Sequence, residues 1–273
     1  MNGNTTLNPE ITNNIIDQFR ILYDSIPASE NSNKSLRDEA LESFSKLGIP
    51  GKHDEEWRYT NMLPVFKRPL TQSINDNSTG LTRDQINKFL IAGFDANILV
   101  FYNGRAVKEF THLNFLPEET VIGTLGDNRH HPAFLKNFAK LADHRKETFT
   151  ALNTAFSLEG AFIYIPVNAI IEQAIHIIHI SDNCHGETFS NMRNLLVMGE
   201  GSSVQLVESF QSIGSGAGFN NTVTEIFAGE DSLTDLYILE NENNDSFQVN
   251  NTYIHQEKKS TMSWIVNSSL SLS

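Results

Sequence analysis

From about residue 161 onward, short apolar runs alternate with polar turns, and no segment of helical period interrupts them. The runs occupy residues 161–166, 174–180, 192–198, 204–210, 220–228, 233–239, 248–255 and 261–267. Each is rich in Ile, Val, Leu, Thr, Tyr and Phe, the composition of strands. The turns between them carry Gly-Glu-Gly-Ser, Gly-Ser-Gly-Ala-Gly, Gly-Glu-Asp-Ser and Asn-Glu-Asn-Asn-Asp. Taken two at a time, each run recurs 28–31 residues later, a spacing found in solenoids and propellers. A β-solenoid with two strands per turn accounts for this, each turn burying its apolar face against its neighbours. An antiparallel sandwich produces similar strand-and-turn text, but the two-strand period favours the solenoid.

Upstream the apolar period changes to that of helices. Ile11, Ile15, Ile16, Phe19, Leu22 and Ile26 predict a helix opened by Pro9 and ended by Pro27. Leu36, Ala40, Leu41, Phe44 and Leu47 predict a second, with Ser35 and Asp38 as its capping box and Gly48 and Pro50 as its stop. Residues 71–80 are polar and read as mobile. Thr82 and Gln85 cap a short helix carrying Ile86, Phe89 and Leu90. A strand at 97–102, a tight turn at Asn103-Gly104 and a return strand at 106–110 follow. Phe134, Phe138 and Leu141 mark a small helix after His130-His131-Pro132, and Phe149, Leu152, Ala155 and Phe156 mark another, closed by Gly160. The expected layout is an N-terminal α-helical domain (1–95), an α/β connecting segment (96–159) and a solenoid core (160–273).

The formal charge of −13 argues against nucleic acid or an anionic membrane surface as partner. No apolar stretch approaches the roughly 20 residues of a membrane span. The first residues lack the basic and apolar regions of a signal peptide. One cysteine, Cys184, leaves no internal disulfide and no thiolate-only metal site. A cytoplasmic location is the expectation.

Candidate chemistry is sparse. His176 and His179 are three apart on a strand, so they point to opposite faces and cannot share a metal. Cys184 and His185 sit beside a turn; both are iron-ligand types, but adjacent residues chelate poorly. His130 and His131 read as loop and His255 as a solenoid-face residue. Asp231 and Asp235 flank a strand in the manner of a carbohydrate-cleaving β-helix, although two carboxylates alone do not make that site. Gly199-Glu200-Gly201 and Gly214–Gly218 read as turn glycines, because a phosphate loop needs a helix to follow. The stretch 51–62, Gly-Lys-His-Asp-Glu-Glu-Trp-Arg-Tyr-Thr-Asn-Met, is dense in charge and aromatic rings. Trp57 and Tyr59 would anchor a loop, with Arg58 paired to Glu55 or Glu56. A site built on the carboxylates and His53 is the sharper alternative, but no converging partners lie nearby in sequence.

The core of that stretch, Glu55-Glu56-Trp57-Arg58-Tyr59-Thr60, resembles the N-terminal signature of the SufB/SufD family of iron–sulfur cluster assembly proteins, on its SufD side. Leu99-Val100-Phe101-Tyr102-Asn103-Gly104-Arg105, Phe-Thr-Ala-Leu-Asn-Thr-Ala-Phe-Ser-Leu-Glu-Gly at 149–160 and Asn221-Thr222-Val223-Thr224-Glu225-Ile226 are similar to the same family. They run in order from about residue 36 to the end. The resemblance implies a right-handed parallel β-helix with an N-terminal helical domain. It implies a non-catalytic scaffold subunit that pairs with a SufB-like paralogue and a SufC-like ATPase. It implies no firmly bound cofactor, the cluster being transient at the level of the complex. The chain stops in mid-repeat relative to the family pattern, so a fragment is expected, with the cluster ligands and the partner-binding surface outside it. The rivals are a carbohydrate-active β-helix lyase or hydrolase and the paralogous scaffold SufB.

Overall fold

The computed structural model describes residues 9–30, 32–51, 54–71, 80–184 and 186–268. The N-terminal part contains helices α1 (Pro9–Asp24), α2 (Lys34–Leu47), α3 (Leu63–Phe66) and α4 (Arg83–Phe89), with the two-residue strand β1 (Leu70–Thr71) before α4. The strands β2 (Asn97–Tyr102), β3 (Arg105–Ala106) and β4 (Val121–Thr124) and the helices α5 (Pro132–Asn137) and α6 (Thr148–Ala155) follow. The remaining strands are β5 (Ala161–Ile165), β6 (Ile175–Asp182), β7 (Glu187–Met198), β8 (Ser203–Ile213), β9 (Gly218–Ala228), β10 (Leu233–Asn241), β11 (Phe247–Gln256) and β12 (Thr261–Ser268). Those eight strands fall on the eight apolar runs.

They alternate between two sheets. Sheet A has the order β11-β9-β7-β5-β4, with β1 beside β7; sheet B has the order β12-β10-β8-β6-β2-β3. From β5 to β12 every pairing is parallel, which makes about four turns of a two-strand solenoid. Paired positions are offset by 28 residues (Asn221 and Val249) to 33 (Phe162 and Leu195). At the first turn the connecting segment extends both sheets: β2 lies parallel to β6 and β4 antiparallel to β5.

The space between the sheets is lined on one side of the solenoid by Ile165, Ile175, Leu196, Met198, Val204, Leu206, Ile226 and Leu236. The outer face of sheet A is buried too. Phe189, Phe219 and Val249 belong to one core with Phe19, Phe44, Phe66, Phe149 and Phe156. Phe19 meets Phe44, Phe66, Phe156 and Phe189 edge-on at centroid distances of 5.3–6.2 Å. The helices therefore have no core of their own; their stripes are completed by the solenoid. The outer face of sheet B is covered at β2 and β6, where Val100, Ile178 and Ile180 pack with Ile86 of α4.

Local departures from the sequence reading have physical causes. Ser35 lies inside α2 and caps nothing; Asn33 is the N-cap, at φ 51, with no side-chain cap bond. Asp38 is taken instead by the Tyr23 hydroxyl at 2.7 Å and the Lys34 ammonium at 2.6 Å, which ties α1 to α2. The Thr82–Gln85 capping box is formed as expected. The return strand after Asn103-Gly104 lasts two residues, because residues Lys108–Phe110 turn into a 3-10 helix and bury Phe110. Helix α6 is buried on every side rather than along one stripe. Of the expected mobile segment, Thr71 pairs with Thr188, and 72–79 lie outside the described residues.

Candidate functional site

Two polar constellations stand out against the apolar packing. The first lies outside sheet A, where α6 and the segment after α5 rest on the solenoid. Arg193 points outward from β7 and is 0% exposed. Its Nη2 donates to Glu225 Oε2 at 2.7 Å, and its Nη1 donates to Asn153 Oδ1 at 3.3 Å and Thr154 Oγ1 at 3.2 Å, both on α6. The guanidinium carbon sits 5.4 Å from the centre of the Phe138 ring. Glu225 also accepts from three backbone N–H groups, Ala139 at 2.8 Å, Leu141 at 2.7 Å and Ala142 at 3.1 Å. A buried ion pair needs such extra hydrogen bonds to offset its desolvation. Asn153 adds two bonds from Nδ2, to the carbonyls of Met192 and Asn221, both 2.8 Å.

Of the signature residues, Trp57 serves the same junction. Trp57 ends a 3-10 helix (Glu55–Trp57) and packs on Phe149 with ring centroids 4.6 Å apart. Glu55, Glu56 and Thr60 are exposed, and Tyr59 is 92% exposed, so it anchors no loop among the described residues. Among the described residues Arg58 makes no ion pair with Glu55 or Glu56; its guanidinium lies 5.6 Å from the Tyr59 ring centre. The expected pairing is corrected on that point: with all three side chains in water, an ion pair gains little. A cleft of about 420 Å³ beside the motif is lined by Asp54, Glu55, Glu56, Trp57, Lys146 and Glu147. Glu147 is committed to capping α6 through the N–H groups of Phe149 and Thr150. His53 lies outside the described residues. Arg105, from the second family-like passage, reaches Glu30 at 3.4 Å and Glu159 at 3.5 Å, joining the helical region to the lead-in of the solenoid. Burial raises the Glu159 carboxyl, with Arg105 opposing.

The second constellation is inside the solenoid. On the side of the β6–β7, β8–β9 and β10–β11 turns the lumen is polar. Glu208 is 2% exposed and stands in register between Ile177 and Ile238. It accepts from Asn194 Nδ2 at 2.8 Å and lies 2.7 Å from His179 Nε2. The His179 ring is stacked between Phe101 and Phe210, at 5.5 and 4.6 Å. Glu242, just past β10, accepts from Ser181 Oγ at 3.3 Å and Asn220 Nδ2 at 2.5 Å. Desolvation, with nearby Glu240 adding to it, pushes the Glu242 carboxyl up to about 8.

A pH dependence follows. The folded chain holds this proton more tightly than the unfolded chain, whose carboxyl titrates near 4.5. Stability from this group is therefore complete below about pH 4.5 and is lost as pH rises towards 8. In ion-free buffer Glu242→Gln should flatten that decline, gaining on the order of 2 kcal/mol at pH 8 and nothing at pH 5. Urea denaturation at the two pH values measures it; equal effects at both would contradict the assignment.

The remaining singled-out residues are dispersed. His176 and His179 do point to opposite faces: His176 bonds Ser209 Oγ at 2.8 Å outside the lumen, and burial lowers it to about 4. Cys184 is exposed, its thiol raised by a hydrogen bond to Asp182; His185 lies outside the described residues. His131 caps α5 and rests on Phe162 and Tyr164. His255 is exposed on β11 beside Glu257 at 3.1 Å. Asp231 sits in a turn at φ 55, 3.6 Å from Lys259; Asp235 is on β10. Among the described residues no group of three or more His, Cys, Asp or Glu gathers where it could hold a metal. Gly199–Gly201 and Gly214–Gly218 lie in turns or at a strand start, followed by strands and not helices. Sequence reasoning passed over Arg193, Glu208 and Glu242. The signal for the first two was a lone charge inside a long apolar strand, which must be paired if both faces are buried.

Residues 10–177 match the model of the SufBD protein N-terminal region, and residues 178–271 match the SUF system FeS cluster assembly SufBD core domain. The chain is 26% identical over 233 residues to an iron–sulfur cluster assembly SufBD family protein of Synechocystis, covering 82% of this chain and 51% of that one. It is 26% identical over 213 residues to the iron–sulfur cluster assembly protein SufD of Bacillus subtilis, covering 73% of this chain and 46% of that one. The chain thus spans about half the length of these curated relatives. Together with the two-strand solenoid and the helices clamped on its outer face, these matches place the chain in the SufB/SufD family of SUF iron–sulfur cluster assembly proteins.

Proposed function

We propose that this chain acts as a non-catalytic, SufD-like scaffold subunit, joined to a SufB-like paralogue and a SufC-like ATPase in the cytoplasm. The observation that carries this reading is the ordered match of both family regions across nearly the whole chain. The build supports it: three polar residues of the family-like passages, Arg105, Asn153 and Glu225, hold the helical region to the solenoid. Arg193, Glu225, Asn153 and Arg105 hold elements together. On this reading the cluster is transient cargo of the assembly.

Depleting the chain in its own organism tests the role. Activities of iron–sulfur enzymes should fall several-fold while metal-independent enzymes are unchanged, and a full-length copy should restore them. Unchanged iron–sulfur enzyme activities would remove the proposal.

A further inference from the structure

A cavity that the scaffold role does not use lies on the outer face of sheet A, between α5 and the turn before β4. Its volume is about 610 Å³, within the span of small-molecule sites. The floor is a column across three neighbouring strands: Val121 pairs with Tyr164, and Tyr164 with Val197. All three are half-buried and pack on the small apolar core under α5, which contains Phe134, Phe162 and Leu195. Neighbouring strands are about 4.8 Å apart, so the column is a continuous apolar surface about 10 Å long.

The polar groups of the wall are uncommitted. His131 accepts the Ala133 N–H on Nδ1 at 3.2 Å, and its ring rests on Tyr164 with centroids 4.8 Å apart. The neutral ring therefore carries its proton on Nε2, a donor with no acceptor among the described residues. Lys136 and Glu119 line the same cavity. Among the described residues neither is in an ion pair, with the other or with a third residue. An apolar floor with one cation, one anion and a neutral donor around it selects a chemistry. A polyphosphate or a dicarboxylate meets Glu119 as a like charge. A plain hydrocarbon takes water from both charges and gives them no partner. A molecule with both signs of charge at one end and an apolar ring at the other satisfies every group, the ring packing on those of Tyr164 and His131.

We infer that this cavity binds a free α-amino acid with an aromatic side chain. Its carboxylate takes Lys136 and the His131 Nε2–H, its ammonium takes Glu119, and its ring lies along Val121, Tyr164 and Val197. The inference is independent of the scaffold role.

The test is isothermal titration calorimetry on the whole chain near neutral pH, with L-phenylalanine as the probe. Two analogues dissect its head group: 3-phenylpropanoate lacks the ammonium and 2-phenylethylamine lacks the carboxylate. L-phenylalanine should bind saturably, and each analogue about tenfold or more weakly, the loss of one charge-assisted contact. Lys136→Met should bring L-phenylalanine down to the affinity of 2-phenylethylamine, and Glu119→Gln down to that of 3-phenylpropanoate. Both positions are exposed, so both variants should fold as wild type. Val197→Trp, which fills the cavity from its floor, should abolish binding. Lys140→Met, outside the cavity, should leave it unchanged. No saturable binding of L-phenylalanine overturns the site. So does an equal affinity for the three probes, or an unchanged affinity in either Lys136→Met or Glu119→Gln.

Discussion

Glu225→Ala should be among the most damaging single substitutions in this chain, costing about 3–5 kcal/mol. It strips the counter-ion from a guanidinium with no exposure to water, and it orphans three backbone N–H groups in the segment between α5 and α6. Arg193 cannot escape by moving, because Asn153, Thr154 and the Phe138 ring enclose it. Glu225→Gln keeps acceptor oxygen and should cost less. Chemical denaturation gives the loss. A double-mutant cycle with Arg193→Met should return a coupling of about 2 kcal/mol or more. The accompanying sign is local: the stretch between α5 and α6 should become sensitive to protease before the solenoid does. A loss below about 1 kcal/mol, the scale of a surface pair, would mean that the helical region is not held by this node.

Gly160→Ala should cost a comparable 3–5 kcal/mol, roughly, or prevent folding. Gly160 sits at φ 154, and a Cβ there would lie 1.7 Å from the carbonyl oxygen of Arg193 and 2.4 Å from its carbon. Those are backbone atoms of β7, so no rotamer relieves the clash. The close approach is what lets the chain pass from α6 into β5 directly against the next turn. Gly126→Ala is the matched control, since its Cβ would find only Thr124 Oγ1 at 3.6 Å and Glu159 Oε2 at 3.9 Å. If both substitutions fold equally well, the lead-in to the solenoid is not packed as described.

Why the solenoid was legible and the sites were not follows from one fact about sheet A. Period and turn text do not depend on what covers the strands, so all eight runs could be read, as could Thr82–Gln85 and Asn103-Gly104. Alternation, by contrast, shows which residues share a face and not whether that face is wet. In Met192-Arg193-Asn194-Leu195 each face of the strand carries one apolar and one polar residue, so alternation marks neither face as wet. Yet Arg193 lies under α6 while Asn194 bonds Glu208 across the lumen. Contacts that join residues 32 apart (Arg193 and Glu225) or 14 apart through a turn (Asn194 and Glu208) are invisible to spacing. The Ser35 error has the same origin: Asp38 had a partner on another helix, Tyr23. Very short strands such as β1 and β4 carry too few residues to show a period and exist because β7 and β5 offer them an edge. The family-like passages were legible as text, but that Trp57, Arg105, Asn153 and Glu225 among them clamp helices to the solenoid needed the fold.

The scaffold claim is tested most directly by assembly. Co-expressing the complete coding region with its SufB- and SufC-like neighbours, then measuring mass by size-exclusion chromatography with light scattering, should give one defined complex containing all three proteins. Elution of this chain alone, with the other two assembling without it, would contradict the account.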